Sequence, residues 1–330
     1  MSVVTETKLE FRKLSARIGA EIRGLDLGAE LSDDVIGQIR QALNVHKALV
    51  FREANVRDDD AQVRFAARFG PLTNAHPTVA SVDGKPAVLP VDSENGSANT
   101  WHTDVTFVVN PPQASTLRSI TLPSYGGETL IASAAGAYQD LPEELRNFAD
   151  TLWAVHTNDY DYSVPKNLEH ANADEYRKEF TRIKFETVHP VVRVHPLTGE
   201  RGLFIGGFAQ RLRIVGLSNT ESRDILRLLQ AYVTRPENVV RVNWEPDQLV
   251  LFDNRITQHY APDNYDGQPR QLNRVTVAGD IPRGIDGRAS SSIEGDSSAY
   301  SETVTSEKVA SGEVPGPRSA ALDAGIGVVQ

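Results

Sequence analysis

The chain has 330 residues, 40% of them hydrophobic, which is ordinary for a globular protein with a sizeable core. It contains no cysteine, and this excludes disulfides, thiol nucleophiles, iron–sulfur clusters and cysteine-ligated zinc. The formal net charge of -10 opposes binding to nucleic acid and to anionic membrane surfaces, so an anionic substrate would need a local basic pocket.

No targeting or membrane segment is expected from the sequence. Residues 1–10 contain no apolar run of the kind that forms a signal peptide. No later stretch has the roughly 20 apolar residues that a membrane span needs. We therefore expect a soluble cytoplasmic protein with no nucleic-acid or membrane partner.

Short segments rich in β-branched residues alternate with helical patterns along the chain. In chain order, the sequence predicts a helix over 32–44, a strand over 48–51, a helix over 57–69, strands over 87–91 and 114–120, helices over 133–140 and 142–151, strands over 188–194 and 202–205, a helix over 218–233, and strands over 239–244, 248–252 and 271–278. Turn residues separate most of the strands. This pattern favours a mainly β fold with flanking helices, as an antiparallel sandwich or jelly roll.

Two of the predicted helices have recognisable starting signals. Ser32 stands at the N-cap position of the first helix. Ser218 and Glu221 have the spacing of a capping box before the apolar pattern of the helix over 218–233. We therefore expect these helices to begin immediately after the two serines.

The C-terminal residues differ in composition from the rest of the chain. Residues 1–289 form one continuous globular pattern without a linker, and we interpret them as a single domain. Residues 290–330 are rich in Ser, Ala, Gly and Glu and have no sustained periodicity, so they bury too little surface to offset their ordering entropy. We expect a flexible tail there, with docking of a partner or of another subunit as the alternative.

The segment Trp-His-Thr-Asp-Val-Thr-Phe, residues 101–107, places a histidine and a carboxylate two positions apart. On a strand, alternate side chains point to the same face, so His102 and Asp104 would face one point. With a third ligand they would form the two-histidine, one-carboxylate triad that leaves open positions on Fe(II). Taken alone the pair is a weak signal, because a hydrogen-bonded surface pair explains it equally well.

His259 and two arginines give that pair more weight. His259 is one of eight histidines and follows Asp-Asn-Arg-Ile-Thr-Gln at 253–258. Arg270 and Arg274 come soon after it, and with Leu272 they would share one face of a strand. Two cations that face into a β core are costly unless anions meet them. A dicarboxylate cosubstrate and an anionic substrate would supply such anions.

Four ordered motifs carry a resemblance to a known enzyme family. They are the segment at 101–107, Gly-Gly-Glu-Thr-Leu at 126–130, Asp-Asn-Arg-Ile-Thr-Gln-His at 253–259 and Arg-Gln-Leu-Asn-Arg at 270–274. In these motifs, and over roughly residues 8–282, the chain resembles the taurine dioxygenase and alkylsulfatase family of Fe(II)- and 2-oxoglutarate-dependent dioxygenases. The stretch at 152–162 is similar to the alkylsulfatase-type branch. The resemblance implies a double-stranded β-helix core, a cupin-like jelly roll.

The resemblance also implies a metal site and a cosubstrate site. His102, Asp104 and His259 would bind Fe(II). Thr129 and Arg270 would bind the distal carboxylate of the cosubstrate 2-oxoglutarate, with a bidentate arginine as the stronger partner. Dioxygen would be the second cosubstrate.

By the same resemblance, His76, Arg274 and the backbone N–H of Val105 would bind the anionic head group of a small organic substrate. The implied reaction hydroxylates the carbon next to that head group. For an alkyl sulfate ester, the first choice, the products are an aldehyde, sulfate, succinate and CO2. We expect a homo-oligomer, either a dimer or a tetramer.

Several alternatives stay open at this point. The same chemistry could act on taurine or another sulfonate, or on an aryloxy-carboxylate, because Arg and His donors bind all three anions. Leu272 and Asn273 stand where the family often has Met and His, which weakens the choice of substrate. A non-catalytic jelly-roll binding protein is the alternative from another class. His189, His195 and Trp244 are interpreted as structural or packing residues.

Overall fold

Strands are more numerous than helices in this computed structural model, which describes residues 8–95, 98–159, 178–207 and 212–301. The strands are β1 (Arg12–Lys13), β2 (Ala20–Arg23), β3 (Ala48–Arg52), β4 (Val88–Asp92), β5 (Ala114–Thr121), β6 (Thr129–Ser133), β7 (Trp153–Thr157), β8 (Glu186–Pro190), β9 (Val192–Val194), β10 (Arg201–Leu203), β11 (Arg213–Ile214), β12 (Val239–Val242), β13 (Leu249–Asp253), β14 (Thr257–Tyr260), β15 (Gln271–Val277) and β16 (Ser291–Glu294). The helices are α1 (Asp33–His46), α2 (Asp59–Ala67), α3 (Ala134–Gln139), α4 (Glu143–Ala149), α5 (Asn219–Val233) and α6 (Ser298–Ser301), with short 3-10 turns at Ser93–Asn95 and Pro236–Asn238.

A seven-stranded sheet with the strand order β1-β2-β3-β13-β5-β15-β4 is the larger layer of the fold. Its neighbouring strands are antiparallel except β2 and β3, which pair in parallel. A three-stranded sheet, β12-β6-β14, packs against it through a shared apolar core. That core consists of Ile18, Ala48, Val50, Leu117, Ile131, Val240, Val242, Val250, Phe252 and Leu272. The two packed sheets confirm the predicted mainly β fold with a jelly-roll core.

Helices α1 and α2 cover the other face of the seven-stranded sheet. Leu49 and Phe51 of β3 pack with these helices, whereas Ala48 and Val50 face the core between the sheets. This division follows from the alternation of side chains along a strand. The flanking helices were therefore correctly predicted. No helix in the described ranges is both long and apolar enough to cross a membrane.

The predicted helix starts are confirmed by their hydrogen bonds. The Ser32 side chain accepts a bond from the Val35 N–H at 3.3 Å. The Ser218 side chain accepts from the Glu221 N–H at 3.3 Å, and the Glu221 carboxylate accepts from the Ser218 N–H at 2.8 Å. Both partners of the capping box are thus present, and each serine satisfies a backbone donor that the helix itself leaves unpaired.

Two smaller sheets, β11-β7-β8-β16 and β10-β9, complete the described strands. The single strand predicted over 188–194 is in fact divided into β8 and β9 at Val191. The backbone of Val191 bonds elsewhere, because its N–H donates to Leu152 and its carbonyl accepts from Phe204. The β-branched run therefore looks like one strand in the sequence, although β8 pairs with β7 and β9 pairs with β10.

The predicted tail boundary at residue 290 is wrong for residues 290–301. Strand β16 pairs antiparallel with β8, and α6 follows it. Tyr300 is only 2% exposed and packs in an aromatic cluster. One buried aromatic ring and a strand ladder anchor a segment whose average composition is polar. Residues 302–330, the rest of the predicted tail, lie outside the described residues.

Candidate active site

His102, Asp104 and His259 lie together, fully enclosed by the protein. The main chains of the two histidines bond to each other in both directions, at 2.9 Å from His102 N to His259 O and 2.7 Å in reverse. Their Nε2 atoms are 3.9 and 3.7 Å from Oδ1 of Asp104. One ligand atom from each residue lies within 4.8 Å of the other two. Three potential metal ligands therefore converge on one point.

The convergence does not come from a strand, so that prediction is wrong. His102 forms only an isolated bridge, and residues 104–107 form a turn in which Val105 has a φ of 54°. A left-handed conformation is rare for a β-branched residue and is retained where the surroundings enforce it. Asn254 does so here, because its amide accepts from the Asp104 N–H at 2.9 Å and donates to the Asp104 carbonyl at 3.1 Å.

Both histidines of the triad have a lowered pKa, which favours the neutral imidazole. The Nδ1–H of His102 donates to the Thr100 carbonyl at 2.7 Å, which leaves the Nε2 lone pair facing Asp104. Burial lowers the pKa of His102. Burial, with the nearby His102 and Arg274, lowers the pKa of His259 to about 3. Unprotonated imidazoles are the form that binds metal.

Asp104 is held as a carboxylate. Its Oδ2 accepts from the Ser115 hydroxyl at 2.8 Å, and its Oδ1 accepts from Arg274 at 2.5 Å. Burial alone would raise the pKa of Asp104, but Arg274, the two histidines and Ser115 together hold it well below its ordinary value. Two neutral imidazoles and one carboxylate are the donor set of non-haem Fe(II) oxygenases, so these residues fit an iron ion.

Arg270 is a buried cation with no carboxylate partner among the described residues. It is 5% exposed, and its Nε donates to the Gly127 carbonyl at 2.8 Å. Its Nη2 lies 3.4 Å from the Thr129 hydroxyl, which also accepts from the Trp244 indole N–H at 3.0 Å. Burial lowers the pKa of Arg270. Because a desolvated guanidinium is costly without an anion, this pocket calls for an anionic ligand.

His76 is a neutral hydrogen-bond donor in an apolar pocket. Its Nδ1 accepts from the backbone N–H groups of Thr78 and Val79, both at 3.2 Å, so its proton is on Nε2. That Nε2 is buried and has no hydrogen-bond partner within the described ranges. The ring packs against Phe107 and Phe180, with centroids 5.9 and 4.9 Å away. Burial and the Arg274 charge lower the pKa of His76 to about 3.

Arg274 joins the triad to the His76 loop. Its Nη1 bonds to Asp104, and its Nη2 lies 3.4 Å from the carbonyl of Ala75, the neighbour of His76. The predicted substrate arginine therefore contacts a predicted metal ligand directly. The structure thus groups the predicted site residues in two places: the triad and Arg274 meet at Asp104 next to the His76 loop, and Thr129 lies beside Arg270.

Three residues with a part in this site were missed by sequence reasoning. Ser115 and Asn254 bond to Asp104, and Trp244 bonds to Thr129. Asn254 lies within the motif at 253–259 that carries the family resemblance, and this position was a usable signal. Ser115 lies in an ordinary strand pattern and Trp244 in an apolar one, and nothing in the sequence set them apart.

Comparisons with known proteins agree with this geometry. The taurine catabolism dioxygenase TauD, TfdA family matches residues 10–276. An alpha-ketoglutarate-dependent sulfate ester dioxygenase of Pseudomonas putida is 48% identical over 285 residues, covering 86% of this chain and 94% of that protein. An alkylsulfatase of Acinetobacter baylyi is 46% identical over 282 residues, covering 85% and 88%.

A solved structure extends the comparison to the fold. The crystal structure of a taurine dioxygenase from Burkholderia xenovorans superimposes with a TM-score of 0.74 at 39% identity, covering 87% of this chain and 95% of that one. The sequence match spans most of the chain and includes the site. The chain therefore belongs to the TauD/TfdA family of Fe(II)- and 2-oxoglutarate-dependent dioxygenases.

Proposed function

We propose that this dioxygenase hydroxylates the carbon that bears the ester oxygen of an alkyl sulfate. His102, Asp104 and His259 would hold Fe(II), through the two Nε2 atoms and Oδ1. When bound, iron and 2-oxoglutarate supply the activation of dioxygen and the oxidation of one substrate C–H bond. The protein contributes neutral imidazoles, a carboxylate kept ionised, and the positioning of both organic molecules.

The pocket around Arg270 is our proposed site for 2-oxoglutarate. The Thr129 hydroxyl already accepts a hydrogen bond from Trp244, so its own proton is free to point to an acceptor. Arg270 offers a guanidinium that the protein leaves without a carboxylate among the described residues. A carboxylate between Thr129 and Arg270 would satisfy both groups, as the distal carboxylate of 2-oxoglutarate would.

The observation that carries the substrate proposal is the buried Nε2–H of His76. A donor without an acceptor, enclosed by protein, is costly unless a ligand completes it. The ligand must offer a hydrogen-bond acceptor, and beside the Arg274 charge an oxyanion suits this position best. Arg274 supplies positive charge beside it, and the left-handed turn at Val105 is proposed to present a backbone N–H to the same head group.

The surroundings of His76 favour an anion that carries an apolar body. Phe107, Phe180 and Phe185 belong to one hydrophobic cluster, against which Val79 also packs. An alkyl chain would find an apolar environment there, whereas a zwitterion such as taurine would bring an ammonium group into it. The relatives named as a sulfate ester dioxygenase and an alkylsulfatase support the same substrate class.

A sulfonate is the second candidate substrate, supported by the structural likeness to a taurine dioxygenase. An aryloxy-carboxylate is the third, because arginine and histidine donors bind carboxylates as well. The cytoplasmic location and the dimeric or tetrameric assembly stay predictions from the sequence.

A substrate panel tests this proposal. The iron-loaded protein is incubated with 2-oxoglutarate and, separately, with a medium-chain alkyl sulfate, the matched alkylsulfonate, taurine and a phenoxypropionate. Succinate and inorganic sulfate are then measured. We expect succinate and sulfate in equal amounts with the alkyl sulfate. If succinate formed only with one of the other anions, the proposal of a sulfate ester would be wrong and that anion would be the substrate class.

Isotope labelling separates oxidation from hydrolysis. Dioxygen gives one oxygen atom to succinate and one to the carbon, and the hydroxylated ester then breaks its C–O bond to release aldehyde and hydrogen sulfate. Under ¹⁸O2 the succinate should be labelled and the sulfate should not. Sulfate that takes up label from H2¹⁸O would show hydrolysis at sulfur and contradict the proposal.

If the anaerobic Fe(II) and 2-oxoglutarate complex gave no charge-transfer band in folded protein, the non-catalytic alternative would be favoured.

A further inference from the structure

The C-terminal segment brings a tyrosine to the substrate side of the site. Strand β16 pairs with β8, and α6 then carries Tyr300 into the protein, where it is 2% exposed. The family match ends at residue 276, so this segment lies beyond it. This segment, which follows the family match, therefore contributes a buried side chain near residues that we assign to the substrate.

Tyr300 lies in the hydrophobic cluster that contains Val105 and the two rings packed against His76. It belongs to one hydrophobic cluster with Val105, Phe107 and Phe180. Phe107 and Phe180 are also the rings that flank His76. The tyrosine thus shares its packing partners with His76 and packs in the same cluster as Val105.

The main chain of α6 ties the same two loops together. The Asn74 N–H donates to the Tyr300 carbonyl at 3.0 Å, and the Asn74 amide donates to the Ala299 carbonyl at 2.6 Å. On the other side, the Ser301 hydroxyl donates to the Asn110 side chain at 3.0 Å. The helix therefore connects the His76 loop to the segment that follows the turn at Val105.

The Tyr300 hydroxyl lies near the strand that carries Arg274. It is buried near the side chains of Thr73 and Thr276, whose hydroxyls share a hydrogen bond. Burial raises the pKa of Tyr300 to about 12, so the group is a neutral phenol. Tyr300 therefore lies close to the three elements that carry the proposed substrate residues.

We propose that Tyr300 is a positioning residue, which holds the His76 loop and the Val105 turn so that their donors face one oxyanion. This inference rests on the proposed function of these donors. It assigns a role in substrate binding to residues 298–301, and it leaves the binding of iron and of 2-oxoglutarate to other parts of the protein.

Hydrogen exchange of the substrate-free protein tests the inference directly. In Tyr300→Ala, the amides of residues 73–79 and 104–108 should exchange faster than in the wild type. Tyr138→Ala is the matched control, because Tyr138 is also a buried tyrosine on a short helix but packs in a different cluster. Unchanged exchange at 73–79 and 104–108, or equal acceleration there in both variants, would overturn the inference.

Kinetics give the second readout. Tyr300→Ala should raise KM for a medium-chain alkyl sulfate about tenfold, as a displaced positioning group does, with a smaller change in kcat. The charge-transfer band of the Fe(II) and 2-oxoglutarate complex should be unchanged. Tyr300→Phe keeps the ring and should restore KM. An unchanged KM in Tyr300→Ala, or a loss of 2-oxoglutarate binding with it, counts against the inference.

The two readouts keep the proposals distinguishable. If the wild type turns over no alkyl sulfate, the proposed function fails, while the exchange experiment still decides the inference. If Tyr300→Ala does not fold, Tyr300→Leu is carried through the same measurements.

Discussion

Arg255 and Arg270 are equally buried, at 6% and 5% exposed, but only one of them has an anionic partner in the described protein. Arg255 donates to both carboxylate oxygens of Asp253, at 2.9 and 2.6 Å, and His195 contacts the same carboxylate at 3.0 Å. Among the described residues, the Arg270 side chain hydrogen-bonds only to the neutral oxygens of Gly127 and Thr129. The charge of Arg255 is therefore compensated by a carboxylate of the protein, whereas the charge of Arg270 is not paired with one among the described residues.

The same difference separates two buried histidines, each with its pKa lowered to about 3. His189 bonds through Nδ1 to the Ser290 hydroxyl at 2.7 Å and through Nε2 to the Thr106 carbonyl at 2.8 Å. His76 leaves its Nε2 without a partner in the described residues. A buried donor without an acceptor costs about 1–3 kcal/mol, so a protein tolerates one where a ligand completes it. In each pair, the member with fewer partners is the one that we propose to bind a ligand.

The largest expected effect comes from Asp104→Ala. This change removes the proposed carboxylate ligand of the metal and the buried ion pair between Asp104 and Arg274. Substrate-dependent succinate formation should be abolished, as measured with the iron-loaded protein and the best substrate of the panel. Retained coupled turnover would refute the metal assignment.

Arg270→Leu should lower the affinity for 2-oxoglutarate and leave stability nearly unchanged. Removing one partner of a buried charge pair costs about 2–5 kcal/mol of binding free energy. The dissociation constant, followed by the anaerobic charge-transfer band, should rise accordingly. The free energy of unfolding without ligands should stay near the wild-type value, because no carboxylate of the described chain loses its partner.

Arg255→Leu is the matched control and should behave in the opposite way. It leaves Asp253 buried without its cation, which typically costs about 3–5 kcal/mol of stability. Urea unfolding would measure this loss. If Arg270→Leu destabilised the ligand-free protein as much as Arg255→Leu does, the distinction between the two arginines would be lost.

His76→Ala should raise KM for the sulfate ester without a comparable loss of stability. A hydrogen bond to a charged group contributes about 1.5–3 kcal/mol, which corresponds to roughly a ten- to hundredfold change. His189→Ala should instead lower the unfolding free energy, since both its nitrogens bond to the protein. A stability loss in His76→Ala with an unchanged KM would show that His76, like His189, is a structural residue and does not bind the substrate.

The smallest effect is on the pH dependence of stability. Both histidines have a folded pKa of about 3 against an ordinary 6.5. Because folding lowers their pKa, the unfolded chain binds protons more readily than the folded protein below pH 6.5. The stability contributed by the two neutral histidines is therefore fully present above pH 6.5. The free energy of unfolding decreases as the pH falls from 6.5 towards 3. His76→Gln or His189→Gln should each reduce the slope of unfolding free energy against pH by up to about 1.4 kcal/mol per unit in this window. Urea unfolding of metal-free protein between pH 6.5 and 4.5 measures the slope. An unchanged slope would show that the replaced histidine is already protonated in the folded state.

Much of the fold was predictable because local patterns and tertiary structure agree. Ser32 and Ser218 cap the expected helices, and the runs that form β3, β5, β13 and β15 are apolar enough to identify. Strands β6 and β14 were not predicted, although they carry Thr129 and His259. Their short sequences contain the polar residues of the site, and these obscure the alternation of a strand.

The sequence motifs suggested which residues could form the site, but not the geometry in which they meet. His102 and Asp104 meet through a turn at Val105, whose conformation depends on Asn254 from a distant part of the chain. Spacing within a motif carries no information on such a contact. Tyr300 was concealed for a related reason, because one aromatic residue decides the placement of a segment whose composition is otherwise polar.

The bond between Asp104 and Asn254 joins positions that are 150 residues apart in the chain. Contacts of such separation form late in folding, since the loop-closure entropy is lost before they contribute. During synthesis, His102 and Asp104 leave the ribosome long before His259. An emerging chain therefore holds two of the three proposed ligands before Asn254, which bonds to the main chain of Asp104, has been made. We therefore expect iron to bind only the folded protein, so that iron binding indicates that His259 and Asn254 have reached Asp104.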